Sequence, residues 1–265
     1  QLNNTGRQII GNVHPPLSVQ STQGLAACHL AVEQGRVYIA NYLSSSVVQL
    51  PDHLVTHRGK GSHPLRQTRP HPHHVAFSPD GRYLLVTDLG LDSVLVYDTS
   101  LRLVSSASVP PGAGPRHVVF SASGNLVLCA NELGNSVTVF HYRNGTMLQG
   151  ETVAAVSASF KGINTVATIR RLDEIIYVSN RGEDTIACFR LQDDRLVLFD
   201  SVDCGGHSPR DFNITPDGRW MLCANEASDT VTLFRIDEGK LIPVPHPLDI
   251  TAPVSIAFRR EGDCR

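Results

Sequence analysis

The sequence lacks both a strong net charge and a long apolar run. It carries 23 basic and 25 acidic side chains, which give a formal net charge of −2. This balance excludes the positive field expected of a nucleic-acid-binding protein. No apolar run reaches the roughly 18 residues that a membrane-spanning helix needs. The first residues also lack the basic stretch and apolar segment of a secretory signal. We therefore expect no nucleic-acid partner and no membrane.

Closely spaced cysteines are absent as well. The six cysteines are scattered, and no two have the CxxC spacing typical of zinc or redox sites. Three fall in strand-like apolar stretches, LVLCANE, TIACF and MLCANE. This pattern favours buried, reduced thiols and a cytoplasmic location. Aromatic side chains make up only 6% of the chain and fall mostly in predicted strands, which argues against an exposed aromatic docking face.

The chain contains one unit that is repeated several times. The full copies are HPHHVAFSPDGRYLLVTDLGLDSVLVYD from His71, GPRHVVFSASGNLVLCANELGNSVTVF from Gly114, GINTVATIRRLDEIIYVSNRGEDTIACF from Gly162 and SPRDFNITPDGRWMLCANEASDTVTLF from Ser208. A shorter copy, AACHLAVEQGRVYIANYLSSSVVQL, begins at Ala26. Self-similarity at a period of about 40–50 residues indicates a repeat architecture. The alignment makes four positions equivalent: Val75, Val118, Val166 and Phe212.

Each copy has the pattern of a β-propeller blade. A short alternating run meets a turn such as SPDG or TPDG, and a second, a third and a weaker fourth run follow. Four short strands per unit are typical of propeller blades. No helical periodicity is sustained, and the GH…WD signature of WD repeats is missing. We therefore predict an all-β protein, a β-propeller of four-stranded antiparallel blades.

The repeats run through most of the chain, so we predict a single propeller domain over residues 1–265 with about five visible blades. Near the C terminus, APVSIAFRR resembles one more innermost strand. A closed ring cannot end on an unpaired blade edge. The chain also does not begin with Met, so we expect that N-terminal blade sequence is missing from it.

Strand geometry collects polar side chains at one end of the blades. The first strand of a blade begins where the second ends, and alternate residues share a strand face. We therefore expect His74 to lie on the opposite strand face from His73, pointing away from the residues that line the channel, and His71 to have a surface role. A ring of titratable groups at a confined mouth is typical of a functional site. The predicted pairs are His73 with Asp88, Arg116 with Glu132, Asn164 with Arg181, and Arg210 with Glu226.

These stretches resemble the lactonase family of seven-bladed propellers, which includes propeller-type 6-phosphogluconolactonases and the fungal carboxymuconate-lactonising enzyme. The resemblance extends from about Cys28 to the end of the chain and depends on the PHPH, PRH, NEL and SNR motifs. Neither a metal nor another cofactor is expected. The resemblance implies four catalytic residues: His73, Arg116, Glu132 and Arg181. The predicted substrate-binding residues are Asp88, His117, Arg210 and Glu226.

The resemblance implies a hydrolase that opens a sugar-acid lactone. The expected substrate is 6-phosphogluconolactone, from the oxidative pentose phosphate pathway. Either Glu132 or His73 would act as general base. Arg116 and Arg181 would stabilise the oxyanion and the anionic substrate group. We expect a monomer or weak dimer whose partner is a small anionic lactone.

Other functions remain open. A muconate-type lactonising activity would use the same groups in the reverse sense, and a propeller can also serve as a binding module without catalysis. A calcium-dependent gluconolactonase site would take ligands from Asn131, Glu132, Asn225 and Glu226, but nearby arginines oppose a cation there. A zinc site at His71, His73 and His74 is disfavoured because adjacent strand residues point apart.

Overall fold

Twenty β-strands in five four-stranded sheets account for nearly all regular structure in this computed structural model, which describes residues 19–258. Four of the sheets have strands in simple chain order, and the remaining one has the same order read from its far edge. A single turn of 3₁₀ helix lies at Leu89–Leu91. Among the described residues, no helix has the length and apolar character of a membrane span. The predicted all-β fold with four-stranded antiparallel blades is confirmed.

The strands follow one another as five consecutive sheets. The first sheet comprises β1 (Ala27–Glu33), β2 (Arg36–Asn41), β3 (Ser46–Gln49) and β4 (His53–Thr56). The second comprises β5 (Pro72–Phe77), β6 (Tyr83–Asp88), β7 (Ser93–Asp98) and β8 (Leu103–Ser108). The third comprises β9 (Pro115–Phe120), β10 (Leu126–Asn131), β11 (Ser136–Arg143) and β12 (Thr146–Ala154). The fourth comprises β13 (Thr165–Leu172), β14 (Ile175–Arg181), β15 (Thr185–Gln192) and β16 (Arg195–Asp203). The fifth comprises β17 (Pro209–Ile214), β18 (Trp220–Asn225), β19 (Thr230–Asp237) and β20 (Lys240–Asp249).

The described chain forms two compact units. The first contains the residues up to Gly134 together with Thr138–Glu151, and the second contains Asn135–Val137 together with the residues from Thr152 onward. In the first unit, β5 packs against β1 on one side and against β9 on the other. In the second unit, β13 and β14 pack against β17. First strands of successive sheets are therefore neighbours within each unit.

The core of each unit lies between the faces of adjacent sheets. One cluster joins the first and second sheets around Tyr38, Val75 and Leu84, and another joins the second and third sheets around Leu85 and Phe140. A corresponding cluster in the second unit surrounds Tyr177, Phe212 and Phe234. Apolar side chains occupy both faces of most of the middle strands, so most of the buried polar groups lie near strand ends and in turns.

The predicted C-terminal strand in APVSIAFRR is not formed in its described part. Residues 250–258 have no strand structure, and the last two residues of the motif lie outside the described residues. A strand requires a backbone ladder with a neighbour. The segment is held instead by single hydrogen bonds. Ile256 N–H donates to Asp211 and Ile256 C=O accepts from Asn213, both in β17, while the N–H groups of Ile250 and Ala252 donate to Asp229.

Candidate active site

The first strand of four sheets contains a β-bulge at the same position. The strand register skips one residue there, as in the second sheet, where Pro72 faces Asp88 and His74 already faces Thr87. A bulge leaves its residue outside the ladder and re-aims the side chain, and bulges are common beside active sites. Three of the predicted site residues occupy this position. The bulged residues are Cys28, His73, Arg116 and Arg210.

In the fourth sheet the predicted counterpart of these residues is wrong. The register there pairs Val166 with Asn180 and then Ile169 with Val178, so the residue at the bulge is Ala167, three positions beyond Asn164. The cause is the hairpin turn. β13 runs on to a two-residue turn that begins at Asp173, where φ is 50°, whereas the SPDG-type hairpins use five residues. The longer strand shifts the alignment by three residues.

The second strand of every sheet carries a buried polar residue at its last position or, in β14, one residue before it. The five equivalent residues pair with the residue just before each bulge and are 0% exposed. Their side chains bind neighbouring loops and strands, as Asn180 does with Ala155 C=O and Thr185 Oγ1 at 2.6 and 3.1 Å. Because these side chains hold the end of each second strand to its neighbours, we call these residues fasteners. The five residues are Asn41, Asp88, Asn131, Asn180 and Asn225.

Asp88 therefore occupies the fastener position, and the residue equivalent to Glu132 in its sheet is Leu89. The Asp88 carboxylate accepts from the backbone N–H groups of His71, Gly90 and Leu91, and from His57 Nδ1 at 2.6 Å. Tyr97 hydroxyl lies 2.9 Å from the other nitrogen of His57. Burial, with the Asp88 charge adding to it, raises the pKa of Tyr97 to about 12, so this hydroxyl stays protonated. These contacts give Asp88 a structural role, and its predicted contact with substrate stays a prediction.

Glu132 and Arg116 meet at the end of the third sheet. Arg116 Nε lies 3.2 Å from Glu132 Oε2, and both side chains are nearly buried, at 5% and 6% exposure. A second guanidinium, that of Arg66, lies 2.7 Å from Glu132 Oε1. The Glu132 carboxylate therefore bridges two arginines. The backbone N–H of Glu132 donates to Gly114 C=O at 2.7 Å, which fixes the chain at this point.

Two histidines and a tyrosine lie together at the start of β5. The His71 ring stacks on Tyr42 with centroids 4.3 Å apart, and its Nδ1 bonds to Tyr42 C=O at 3.0 Å. His73 packs edge-on against Tyr42, with centroids 5.5 Å apart. The expectation of a surface role for His71 is wrong, because the residue is only 7% exposed. The segment before the bulge folds inward against Tyr42.

His74 does not turn away from the candidate residues, as strand alternation predicted. The bulge at His73 breaks the alternation, and the His74 ring lies 4.5 Å from that of His117 and 3.9 Å from that of His29. His117 also contacts the His73 ring at 5.5 Å between centroids. The first residues after three successive bulges thus form a cluster of tilted imidazole rings.

His117 is held in its neutral form. Burial lowers the pKa of His117 well below its usual range, and the Arg116 charge and neighbouring histidines lower it further. Arg116 Nη1 lies 3.2 Å from His117 Nε2. Because a guanidinium only donates, His117 Nε2 accepts and the proton sits on Nδ1. Neutral His117 therefore orients the Arg116 guanidinium.

The remaining predicted residues belong to the second unit. Arg210 and Glu226 form the predicted pair, with Nη1 to Oε2 at 3.1 Å, and both are partly exposed. Arg181 Nη2 donates to Val166 C=O at 3.2 Å, while Asn164 bonds to Asn135 and Asn180. The structure thus brings His73, Arg116, His117 and Glu132 together within the first unit. The roles of Arg181, Arg210 and Glu226 stay predictions.

The described residues offer little to the metal-site alternatives. Asn131 and Asn225 donate their side-chain amides to threonine hydroxyls, and Glu132 and Glu226 pair with arginines. Within residues 19–258, no three His, Cys, Asp or Glu side chains are grouped to hold a metal ion.

Sequence reasoning missed Tyr42, His29 and Arg66. Tyr42 follows the Asn41 fastener as Glu132 follows Asn131. Aligning the sequence Ala-Asn-Tyr of the first sheet with Ala-Asn-Glu of the third therefore predicts the position of Tyr42. His29 likewise follows the Cys28 bulge as His117 follows Arg116. Arg66 lies between two repeats, where the blade pattern makes no prediction. Only the three-dimensional path of that segment brings it to Glu132.

Comparison with known proteins shows which protein family this chain matches. The model of a family described as "Lactonase, 7-bladed beta-propeller" matches residues 10–258. A 6-phosphogluconolactonase of Bacillus subtilis is 31% identical over 91% of this chain and 76% of its own length. An uncharacterised Staphylococcus saprophyticus protein is 34% identical over 77% of this chain, which spans 61% of that relative. The solved Pseudomonas aeruginosa periplasmic gluconolactonase superposes with a TM-score of 0.80 at 29% identity, over 88% of this chain and 73% of its own.

Proposed function

The chain belongs to the lactonase family of seven-bladed β-propellers, as its motifs predicted, and we propose that the protein hydrolyses a sugar-acid lactone. The observation that carries the proposal is the ion pair of Arg116 and Glu132 beside His73 and His117. Arg116 is an oriented cationic hydrogen-bond donor, and Glu132 and His73 are two groups able to accept a proton. Relatives named 6-phosphogluconolactonase and gluconolactonase support the same chemistry.

Lactone hydrolysis needs a nucleophilic water and a donor for the oxygen that becomes negative. The Arg116 guanidinium is buried, fixed by Glu132 on one side and by His117 on the other, so little reorganisation is needed when charge develops beside it. Because His117 is neutral, it does not repel the Arg116 guanidinium. Glu132 or His73 would take the proton from water. The contribution predicted for Arg181 remains part of this proposal.

The finer proposal is that the substrate is 6-phosphogluconolactone, within the oxidative pentose phosphate pathway. The Bacillus subtilis relative carries that name, and arginines at the site suit a phosphorylated substrate. We also propose a cytoplasmic monomer or weak dimer. The reduced thiols among the described residues support this location. Cell fractionation and sedimentation velocity test location and oligomeric state.

A lactonase assay on the intact protein and on Glu132→Gln tests the function. We expect wild-type turnover of 6-phosphoglucono-δ-lactone above its spontaneous hydrolysis. Glu132→Gln should lose about 100- to 10,000-fold, the range for general acid–base groups. Glu174→Gln, an exposed glutamate in the β13–β14 turn, is the matched control and should behave as wild type. Lactone decay at the uncatalysed rate with the wild-type protein would refute the proposal.

A further inference from the structure

A segment outside the blades brings Arg66 to the candidate active site. Residues 58–70 lie in the connection between β4 and β5 and have no strand structure, and this segment is called the strap below. The strap is anchored by Gln67, which is 1% exposed. Its side-chain amide donates to Leu89 C=O at 2.8 Å and to Asp92 at 2.5 Å. Because Gln67 is fixed, the neighbouring Arg66 has little freedom to leave this end of the sheet.

The two arginines at Glu132 differ in accessibility. Arg116 is 5% exposed and is also bonded to His117, whereas the Arg66 side chain is 41% exposed. Arg66 Nη2 also approaches the Tyr42 hydroxyl at 3.5 Å. An incoming anion can therefore contact Arg66 directly from solvent, whereas Arg116 is almost fully buried. Arg66 is therefore the first cation that a substrate anion meets at this cluster.

We propose that Arg66 binds the anionic group of the substrate and thereby selects phosphorylated lactones over neutral ones. The inference rests on the proposed lactonase function and adds the substrate class that this site prefers. The phosphate replaces Glu132 Oε1 as the partner of Arg66. A phosphate matches the guanidinium fork at least as well as a carboxylate does.

The exchange also changes the state of Glu132. Arg116 keeps hold of Oε2, so the carboxylate stays in place when Arg66 turns to the phosphate. The contact of Arg66 with Glu132 Oε1 is then exchanged for a contact with the phosphate. A neutral lactone offers Arg66 no alternative anion and leaves its contact with Glu132 in place. Binding of the anion by Arg66 thus alters the surroundings of Glu132.

The test compares 6-phosphoglucono-δ-lactone with glucono-δ-lactone on the intact protein. Arg66→Met should lower the preference in kcat/KM for the phosphorylated lactone about 10- to 100-fold, the range for a lost charge-assisted hydrogen bond. Most of the loss should be in KM. Arg66→Lys, which keeps the charge but not the fork, should fall between Arg66→Met and wild type. The matched control is Arg69→Met, an exposed arginine of the same strap, which should keep the wild-type preference.

Calorimetric titration with 6-phosphogluconate and with gluconate gives a second readout that needs no turnover. We expect Arg66→Met to weaken binding of the phosphorylated acid selectively. Equal losses on both lactones, or an unchanged preference, would overturn the inference while leaving lactonase function intact. If the wild type turns over neither lactone, the proposed function fails, and selective loss of 6-phosphogluconate binding in Arg66→Met still decides for anion binding by Arg66. Thermal melting of each variant verifies that it is folded.

Discussion

Replacing Asp88 separates the structural role that the contacts assign from the substrate role that the sequence predicted. The carboxylate is 0% exposed. It accepts from three backbone N–H groups, at 2.7, 3.0 and 3.2 Å, and from His57 at 2.6 Å. In Asp88→Ala these donors lose their acceptor inside the protein. A hydrogen bond to a charged group typically contributes about 1.5–3 kcal/mol, and each buried donor left unsatisfied costs about 1–3 kcal/mol.

We therefore expect Asp88→Ala to lower the free energy of unfolding by about 4 kcal/mol, allowing for partial rescue by water. Asp88→Asn keeps an acceptor for the backbone N–H groups but meets His57 with a neutral amide, so its cost should be about 1–2 kcal/mol. Urea unfolding followed by far-UV circular dichroism measures both. The control is Asp80→Ala, in an exposed turn, with an expected cost below about 1 kcal/mol.

The result that would refute this reasoning is a variant with wild-type stability and impaired turnover. If Asp88→Asn unfolds at the wild-type urea concentration but loses lactone turnover at a temperature where it is folded, Asp88 contacts substrate, as first predicted. A cost of less than about 1 kcal/mol for Asp88→Ala would likewise contradict a fastener that satisfies four donors.

Three further predictions follow from burial and close contacts. The depressed pKa of His117 means that the unfolded chain binds a proton near pH 6.5 that the folded protein refuses, so stability falls as the pH drops below about 6.5. His117→Gln should lose about 1 kcal/mol less stability than wild type between about pH 7.5 and 5.5, and equal losses in urea titrations would contradict this. Gly90→Ala should destabilise the protein and displace the strap, because a Cβ there would lie 1.9 Å from Arg69 C=O; wild-type melting and wild-type lactone preference would argue against it. Cys28, which is exposed, should react with a thiol reagent faster than Cys129, whose pKa is raised by burial, and Cys28→Ser should remove that fast phase.

The blade pattern was predictable because it depends on local signals that repeat. Alternating apolar runs and SPDG-type turns fix hairpins, and the turn at Ser78 forms with Gly81 N–H donating to Ser78 C=O. The alignment failed where one local signal changed. A two-residue turn at Asp173 does not resemble SPDG, so β13 was placed three residues out of register. Register is set by the turn, and one altered turn moves every side chain in the strand before it.

Parts of the site were predictable for the same reason, and other parts were not. The ends of paired strands meet at one edge, so Arg116 and Glu132 had to be neighbours. Simple alternation does not anticipate a bulge, which is why His74 was expected to point away and instead packs on His117. Arg66 lies on a connection whose path depends on the anchoring of Gln67. No periodicity in the sequence encodes that contact.

The backbone repeats from sheet to sheet, but the side chains at the candidate site do not. The reason is that the fastener position and the bulge position are under different structural constraints. The fastener position is an asparagine in four sheets and Asp88 in the other, since each must satisfy buried donors or acceptors in the same way. The bulge position is not required to satisfy buried donors or acceptors in this way, because its residue lies outside the strand ladder. It holds a thiol at Cys28, an imidazole at His73, a guanidinium at Arg116 and only a methyl at Ala167. Chemistry is thus free to vary at a position whose geometry the neighbouring fastener keeps constant. This explains why Asp88, although charged and only one residue from the equivalent of Glu132, belongs to the scaffold.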